Sequence, residues 1–262
     1  MFFRMSTLAI GVVLFLIVGG TATAGIVIGR TLRKRPGASH ESVGVVQGTL
    51  LGLVGLLLAF GLTMSVGRYE DRRGLVVKEA NTIGTTYLRA ELLAEPVRSA
   101  SLGLLREYTD ATIDLADQVP FTDAFDADVA RVESLQRDLW AAAGDAVRAD
   151  PVGTAPRAYI ETLNEMFDTH TDRVASLGNR VPTSVMLLQV FGSALALGVL
   201  ALYLALLGRS IATSLLAAGV LVLILFVSLD LDRPQRGFIT VPFTALVDVR
   251  ASMDEPPAAT GP

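Results

Sequence analysis

Four long stretches of the chain contain no charged side chain and alternate with charged segments. The charge-free intervals lie between the following pairs of residues: Arg4 and Arg30, Glu41 and Arg68, Arg180 and Arg209, and Arg209 and Asp230. A helix needs about 20 mostly apolar residues to cross the hydrocarbon core of a bilayer, and each interval reaches that length. The pattern therefore predicts four membrane helices, at about residues 6–28, 43–66, 183–207 and 211–231.

Two other interpretations of these stretches are weaker. Core helices of a soluble protein are rarely free of charge over such a length, and four of them in one chain would be unusual. The first stretch also holds Ala22 and Ala24 in the spacing of a signal-peptide cleavage site. However, the apolar run continues past both alanines into "RTLRKR", as a membrane anchor followed by a stop-transfer signal does. We therefore favour an anchor.

The polar part of the chain lies between two apolar hairpins. Residues 1–67 are expected to form the first transmembrane hairpin, residues 68–180 an extramembrane block and residues 181–231 the second hairpin. Residues 232–262 form a C-terminal segment, whose end "EPPAATGP" is expected to be disordered. The expected fold class is all-α: an integral membrane protein with four transmembrane helices and an extramembrane helical bundle continuous with them.

The extramembrane block has the hydrophobic spacing of four helices. The first continues from the second membrane helix without a strong breaker, with apolar residues three and four positions apart at Val76, Ala80, Ile83 and Tyr87. Pro96 marks a restart, and the next helix runs to about residue 117. Thr122 or Asp123 is the expected N-cap of a third helix that ends near residue 148. A fourth helix is expected at about residues 157–178.

The composition excludes several classes of protein. The chain of 262 residues has no cysteine, which excludes disulfides and thiol catalysis, and it has only two histidines, His40 and His170. It contains no phosphate-binding glycine loop, nucleophile motif or zinc signature, so we expect no enzyme activity, catalytic residue, metal or cofactor. A net charge of −4 without a basic patch gives no indication of nucleic-acid binding.

The second membrane helix carries a row of small residues. Gly44, Gly48 and Gly52 are four residues apart, so they share one helix face on which a second backbone could approach closely. We expect this row to serve helix packing, although small residues on a pore-lining helix would also leave room for ions.

Three bulky apolar residues follow with the same spacing. Leu56, Phe60 and Met64 also lie four residues apart on this helix. A ring of such side chains around an axis would form a hydrophobic constriction, which closes a pore by dewetting. Ordinary packing against lipid or the protein core is the alternative.

A dense run of charge, "RYEDRRG", begins where this membrane helix leaves its apolar segment. Arg68, Arg72 and Arg73 would raise the local concentration of anions if they lined the vestibule of a pore. Glu70 can pair with Arg73 at i, i+3 and so extend an ion-pair network. The alternative is an exposed interfacial cluster, in which each pair contributes little stability.

Several polar residues fall on helices that the bundle would bury. Glu79 would need a hydrogen-bond partner inside the bundle. His170 lies on the apolar stripe of the fourth bundle helix, where we expect a core histidine and not a ligand or a pH sensor. The same helix carries an acidic row that we expect to be a solvated face and not a metal site, at Glu161, Glu165, Asp168 and Asp172.

The arginines and lysines alone leave the orientation in the membrane open. The two short loops carry five of them near the membrane, and the opposite face carries nine. The larger number favours a cytoplasmic bundle, whereas the compact "RTLRKR" next to the first helix favours cytoplasmic short loops.

Two segments of the chain carry a family resemblance. "LLLAFGLTMSVGRYEDRRGLVVKEAN" and "LDLDRPQRGFITVPFTALVD" resemble, respectively, the end of the pore helix of the bestrophin anion channels and the segment after their last membrane helix. Four further motifs, "RTLRKRPGASHESVG", "EANTIGTTYLRAELL", "LNEMFDTH" and "DLDRPQRG", are similar to a family of bacterial bestrophin-like membrane proteins over nearly the full chain. One departure is Glu70 after Tyr69, where bestrophins have paired aromatic residues.

The resemblance implies an oligomeric, anion-conducting channel, with chloride or another small anion as the permeating ion. It places Phe60 and Leu56 at the neck of the pore, with Gly52 where a third bulky residue would lie. It also implies that Asp230 and Asp232 are structural, and we expect one of them to pair with Arg68, Arg72 or Arg73. Charge reversal at the arginine should then be rescued by reversal of its acidic partner.

The resemblance further implies partners and a location. These are the lipid bilayer and further copies of the chain, with a pentamer favoured and a dimer as the alternative. The expected location is the inner (plasma) membrane, with several membrane passes and with the bundle and both termini on the cytoplasmic side. The alternative function is a non-conducting dimeric sensor or scaffold that uses the bundle for interaction and the glycine row for packing.

Overall fold

The computed structural model describes residues 7–34, 40–208 and 211–255. Within these residues the chain forms eight α-helices and no strand, which confirms the all-α prediction. The helices, in chain order, are α1 (Thr7–Arg33), α2 (His40–Ala90), α3 (Val97–Asp117), α4 (Asp123–Ala149), α5 (Thr154–Ser176), α6 (Thr183–Leu206), α7 (Ile211–Leu231) and α8 (Thr244–Ser252).

Three of the described helices are long and apolar enough to cross a membrane. They are α1, α2 and α6. For α7 the apolar stretch among the described residues runs from Leu215 to Leu231, so the fourth membrane helix stays a prediction. Three residues that bear on the predicted orientation lie outside the described residues, namely Arg4, Arg35 and Arg209, and so does the C-terminal end from residue 256.

The end of α1 and the start of α5 differ from the prediction for local reasons. Helix α1 ends at Arg33, five residues later than expected, because a helix does not stop where its apolar part stops. No glycine–proline breaker occurs before Pro36 and Gly37. Helix α5 begins at Thr154, since Pro156 falls in the first turn, where a missing N–H breaks no hydrogen bond.

Helix α2 continues without interruption for 51 residues. It passes Gly67 and Gly74, neither of which adopts a positive φ. The prediction that this helix continues beyond its apolar part without a break is therefore confirmed.

The chain divides into two compact units, which we call the membrane unit and the bundle unit. The membrane unit comprises residues 1–69 and 180–240, and the bundle unit comprises residues 70–179 and 241–262. The core of the membrane unit is apolar and joins four helices, with Ile10 and Leu14 of α1, Val54 and Leu58 of α2, Val190 of α6, and Leu225 and Leu229 of α7.

Helices α1 and α6 pack closely because glycines lie where they cross. A Cβ atom on Gly25 would overlap the carbonyl oxygen of Gly198, and one on Gly29 would lie 2.6 Å from the carbonyl oxygen of Leu202. The backbones therefore approach as in other membrane helix pairs that meet at small residues.

Helix α2 is fixed against α6 by a polar contact inside the membrane unit. The Nε2 atom of Gln189, a buried residue of α6, donates to the carbonyl oxygen of Leu57 at 3.0 Å. Gly61 makes room for this amide, since a Cβ at that position would overlap it. Because Val54 and Leu58 are buried on the same side, this contact sets which face of α2 is turned inward.

The bundle unit has an apolar core drawn from several helices. Ile83, Leu105, Leu139, Leu163 and Met166 are fully buried. Helix α4 is capped by Thr122, whose hydroxyl accepts from the backbone N–H of Phe125 at 3.3 Å. This settles the choice between the two expected N-caps in favour of Thr122.

Helix α8 belongs to the bundle unit and was absent from the sequence prediction. It carries Leu246, which is fully buried, and its end is held by Tyr87 and Arg106, which both donate to the carbonyl oxygen of Met253 at 3.1 and 2.9 Å. Arg250 of α8 donates to Asp110 of α3 at 2.7 Å. A helix of nine residues shows little hydrophobic periodicity, so these long-range contacts define it.

We expect Gly25→Ala to destabilise the membrane unit by about 1–3 kcal/mol, since the added methyl group overlaps backbone atoms that cannot rotate away. The measurement is thermal unfolding in detergent micelles. The matched control is Gly20→Ala on the same helix, where a Cβ would have no neighbour within 4 Å. An equal loss of stability in the control would contradict the close packing of α1 and α6.

Candidate functional site

One side of α2 is uncovered throughout its apolar part. Its inward side carries Val54, Leu58 and Ser65, all buried. The opposite side consists of exposed residues three and four positions apart, which we call the uncovered face: Val45, Thr49, Gly52, Leu56, Phe60, Thr63 and Gly67. Of the 18 most apolar consecutive residues of α2, only 11% are buried, whereas the share is 28% in α1 and 44% in α6.

The predicted constriction residues lie on or beside the uncovered face. Leu56 is 55% exposed and Phe60 is 61% exposed, while Met64, at the edge of the face, is 38% exposed. Exposed apolar side chains in such a row are typical of a surface that lipid or another protein covers. The structure therefore brings these three residues together, and their role as a neck stays a prediction.

The predicted glycine row divides into two environments. A Cβ on Gly44 would lie 3.1 Å from the ring of Tyr203, so this glycine serves packing within the membrane unit. Gly48 and Gly52 face open space, with no atom within 4 Å of an added Cβ. These two glycines therefore form a shallow surface of small residues on α2, which the other described residues of the membrane unit do not contact.

The charged run after the apolar part of α2 has exposed and buried members. Glu70 lies 3.6 Å from Arg73, as the i, i+3 spacing suggests, and both side chains are more than half exposed. Arg72 is instead 3% exposed and donates to the carbonyl oxygens of Ser176 and Asn179 at 3.4 and 2.8 Å. Arg72 thus holds the end of α5, and its role at a vestibule stays a prediction.

Asp230 and Asp232, at the end of α7, bind backbone N–H groups of neighbouring segments. Both oxygens of Asp232 accept from the backbone N–H of Val181, at 3.0 and 3.1 Å. Asp230 accepts from the backbone N–H of Ile239 at 2.9 Å, and both carboxylates are buried. A structural role inside the membrane unit is thus visible for each, while the pairing with an arginine of residues 68–73 stays a prediction.

A buried charged cluster lies in the bundle unit, outside the apolar spans. Glu79 of α2 is fully buried, and its carboxylate contacts two residues of α5. The Nδ1–H of His170 donates to Oε1 of Glu79 at 2.7 Å, and Nε of Arg173 contacts Oε2. His170 and Arg173 are themselves at most 5% exposed. The buried carboxylate is therefore paired and hydrogen-bonded, as a buried charge must be.

Charge compensation determines the protonation of Glu79. Burial by itself would raise the pKa of this carboxyl, but the guanidinium of Arg173 and the hydrogen bond from His170 outweigh burial and hold the pKa below its usual value. Glu79 is thus an ionised carboxylate that links α2 to α5.

Tyr108 of α3 packs against this cluster. Its ring meets the His170 ring edge-on at a centroid distance of 6.1 Å, and its hydroxyl lies beside Gln136 and Thr112. Complete burial raises the pKa of Tyr108, with a further contribution from the negative charge of Glu79, so the phenol stays neutral.

The sequence signalled only part of this cluster. The expectation that Glu79 needs a partner and that His170 lies in the core is confirmed. Arg173, Tyr108 and, in the membrane unit, Gln189 were missed. A polar residue at a position of helical apolar spacing, as Gln189 is between Met186 and Val190, is the signal that could have found them.

The acidic row of α5 behaves as a solvated surface. Its four members, Glu161, Glu165, Asp168 and Asp172, are all exposed. Arg157 pairs with Glu161 at 3.3 Å, and Asn164 donates to Asp168 at 3.1 Å. Across the described parts of the chain, no three His, Asp or Glu side chains are grouped closely enough to hold a metal ion.

We expect Glu79→Gln to lower the stability of the bundle unit at pH 7 by about 3–5 kcal/mol, because it leaves the charge of Arg173 buried without its partner. The pKa of Glu79 is lower in the folded chain than its usual value of 4.5, so its stabilising contribution is complete above that pH. The contribution is lost as the pH falls through the folded-state pKa. Thermal unfolding followed by circular dichroism between pH 7 and pH 3 measures both effects.

The matched control for this prediction is Glu161→Gln on the exposed face of α5. We expect it to change the stability by less than about 0.5 kcal/mol at any pH, since exposed pairs contribute little. If Glu79→Gln lost stability with acid as steeply as the unsubstituted protein, Glu79 would not be the titrating group.

The comparison with protein families identifies this chain. The model of the bestrophin-like domain matches residues 7–246 of its 262 residues. The match includes the uncovered face of α2, the Glu79 cluster and the segment after α7. No curated protein and no solved structure matches the chain. Because the match covers most of its length, the chain belongs to the bestrophin-like domain family.

Proposed function

We propose that the protein is an oligomeric membrane ion channel in which α2 helices from several copies surround a central axis. The observation that supports the proposal is the uncovered face of α2, which is exposed along the whole apolar part of the helix. Around an axis, this face would be covered by the same face of other copies and would line the space between them. Resemblance to the bestrophin channels supports the same arrangement, with five copies favoured.

The side chains on this face suit a gated pore. Phe60 and Leu56 would form a ring of side chains that excludes water when it is narrow. Met64 would lengthen this apolar constriction by one further helical turn along the pore. Gly48 and Gly52, which face open space, would leave a wider passage on the other side of the ring. One helix would thereby supply both a constriction and the space that leads to it.

The proposed permeating ions are chloride and other small anions. The support comes from the resemblance and from Arg68 and Arg73, which lie two to four turns after Phe60 on the same helix. Glu70 offsets part of the charge of Arg73, so any anion preference would be modest. The proposal places the bundle and both termini on the cytoplasmic side of the plasma membrane.

A second candidate is a non-conducting dimeric sensor or scaffold. The observation in its favour is the open space in front of Gly48 and Gly52, on which a single helix of a second copy could pack closely. The bundle would then carry the interaction with a partner. The two candidates require different numbers of copies, since two α2 helices cannot enclose a central pore.

Native mass spectrometry of gently solubilised protein should show five copies of the chain. This measurement precedes any flux assay, because a closed channel and a protein that does not conduct both give no flux. A dimer would contradict the channel and favour the scaffold.

Phe60→Ala should increase chloride efflux from proteoliposomes. Removal of the phenyl group would lower the free-energy barrier that dewetting imposes on ions. A decrease of this barrier by about 1.4 kcal/mol corresponds to a tenfold faster flux. A chloride-sensitive dye measures the efflux at equal protein content. The matched control is Phe191→Ala on α6, because Phe191 is 65% exposed and Phe60 is 61% exposed.

Equal effects of the two alanine variants would show that Phe60 has no special position, and the neck assignment would be wrong. A pentamer that conducts no chloride with either side chain at residue 60 would contradict anion conduction while leaving the assembly intact.

A further inference from the structure

Helix α2 is apolar on both sides, so apolar packing alone does not choose which side faces the rest of the membrane unit. Val54 and Leu58 lie inward and are buried, whereas Leu56 and Phe60 lie outward and are exposed. Exchanging the two sides would replace apolar side chains by other apolar side chains. Lipid tails are as apolar as a protein core, so burial against α6 gains little over contact with lipid. The orientation of α2 must therefore depend on a polar or a close steric contact.

The contact between Gln189 of α6 and the backbone of α2 is of both kinds. Gln189 is 5% exposed, and its Nε2 atom donates to the carbonyl oxygen of Leu57 at 3.0 Å. The amide occupies the space that Gly61 leaves beside this carbonyl, since a Cβ on Gly61 would overlap the amide nitrogen. The amide and the glycine therefore fit only when this side of α2 faces α6. In any other orientation the buried amide would lose its acceptor, which is costly in an apolar environment.

This hydrogen bond lies at the level of the predicted constriction. Leu57 directly follows Leu56, and Gly61 directly follows Phe60. Neighbouring residues of an α-helix are about 100° apart around its axis, so the positions of the carbonyl and of the bulky side chains are geometrically linked. A turn of α2 that breaks the bond to Gln189 must also move Leu56 and Phe60.

We propose that Gln189 is a positioning residue, which keeps Leu56 and Phe60 turned away from α6. Loss of its hydrogen bond allows α2 to turn about its own axis, which uncovers the inward side and moves the Phe60 ring. The orientation of α2 does not depend on the proposed channel. The consequence for conduction rests on the proposed function, in which Leu56 and Phe60 form the constriction.

A single introduced cysteine reports the orientation of α2, since the chain has no cysteine of its own. Ser65 is 1% exposed on the inward side of α2, and Ser65→Cys nearly preserves its size. We expect a maleimide to alkylate this thiol about threefold to tenfold faster in Gln189→Met than with Gln189 present, in purified full-length protein in detergent micelles. Methionine keeps the length of glutamine but cannot donate, and the factor is the population shift expected for the loss of one hydrogen bond.

A second substitution breaks the same hydrogen bond from the side of α2. Gly61→Ala should accelerate the alkylation at residue 65 to a similar degree, because the added methyl group displaces the amide. The matched control is Gly55→Ala, where a Cβ would have no neighbour within 4 Å, and it should leave the rate unchanged. An unchanged rate in Gln189→Met or in Gly61→Ala, or an equal acceleration in Gly55→Ala, would overturn the proposal.

A cysteine on another helix distinguishes a turn of α2 from general loosening. Ser228 of α7 is 5% exposed and lies two residues before Asp230, much as Ser65 lies three residues before Arg68. Ser228→Cys should be alkylated at the same rate with and without Gln189. Equal acceleration at residues 65 and 228 would show that the whole membrane unit loosens, and Gln189 would then have no specific role in orienting α2.

Chloride efflux from proteoliposomes tests the consequence for the constriction. Phe60→Ala should increase the efflux much less in Gln189→Met than in the unsubstituted protein, because the phenyl ring has already moved and the two effects are not additive. Equal increases in the two backgrounds would show that Gln189 does not act through Phe60. Absence of efflux in every variant, together with faster alkylation at residue 65 in Gln189→Met, would contradict the channel and still support the orientation of α2 by Gln189.

Discussion

The attachment of one side of α2 to the rest of the membrane unit is the constraint on which the functional proposal depends. Val54 and Leu58 pack into the core, and the Gln189 amide reaches the Leu57 carbonyl through the gap that Gly61 provides. Once this side is fixed, the opposite side of the helix must carry Leu56 and Phe60. A small set of contacts thus decides which side chains are available to other copies of the chain or to lipid.

Several buried charged residues hold backbone and helices together. In the bundle unit, Arg72 binds the carbonyls at the end of α5, and Glu79 links α2 to His170 and Arg173. In the membrane unit, Asp232 holds the start of α6. Such buried groups are costly when unpaired, so each fixes a particular arrangement of helices more strongly than an exposed pair would.

Family membership and geometry contribute differently to the functional conclusion. The match to the bestrophin-like domain gives the family but not the activity, since a fold can carry several functions. The uncovered face is the observation behind the proposed assembly, since either lipid or further copies of the chain must cover it.

The sequence alone determined the apolar helices, the continuous α2, the restart after Pro96 and the burial of Glu79 and His170. These features follow from local composition and spacing, which a short window contains. Only the tertiary structure decided which side of α2 is uncovered, because Leu58 on one side and Leu56 on the other are equally apolar. It also decided that Arg72 is buried and that α8 forms, since their partners lie far along the chain, at Asn179 for Arg72 and at Tyr87 and Arg106 for the end of α8.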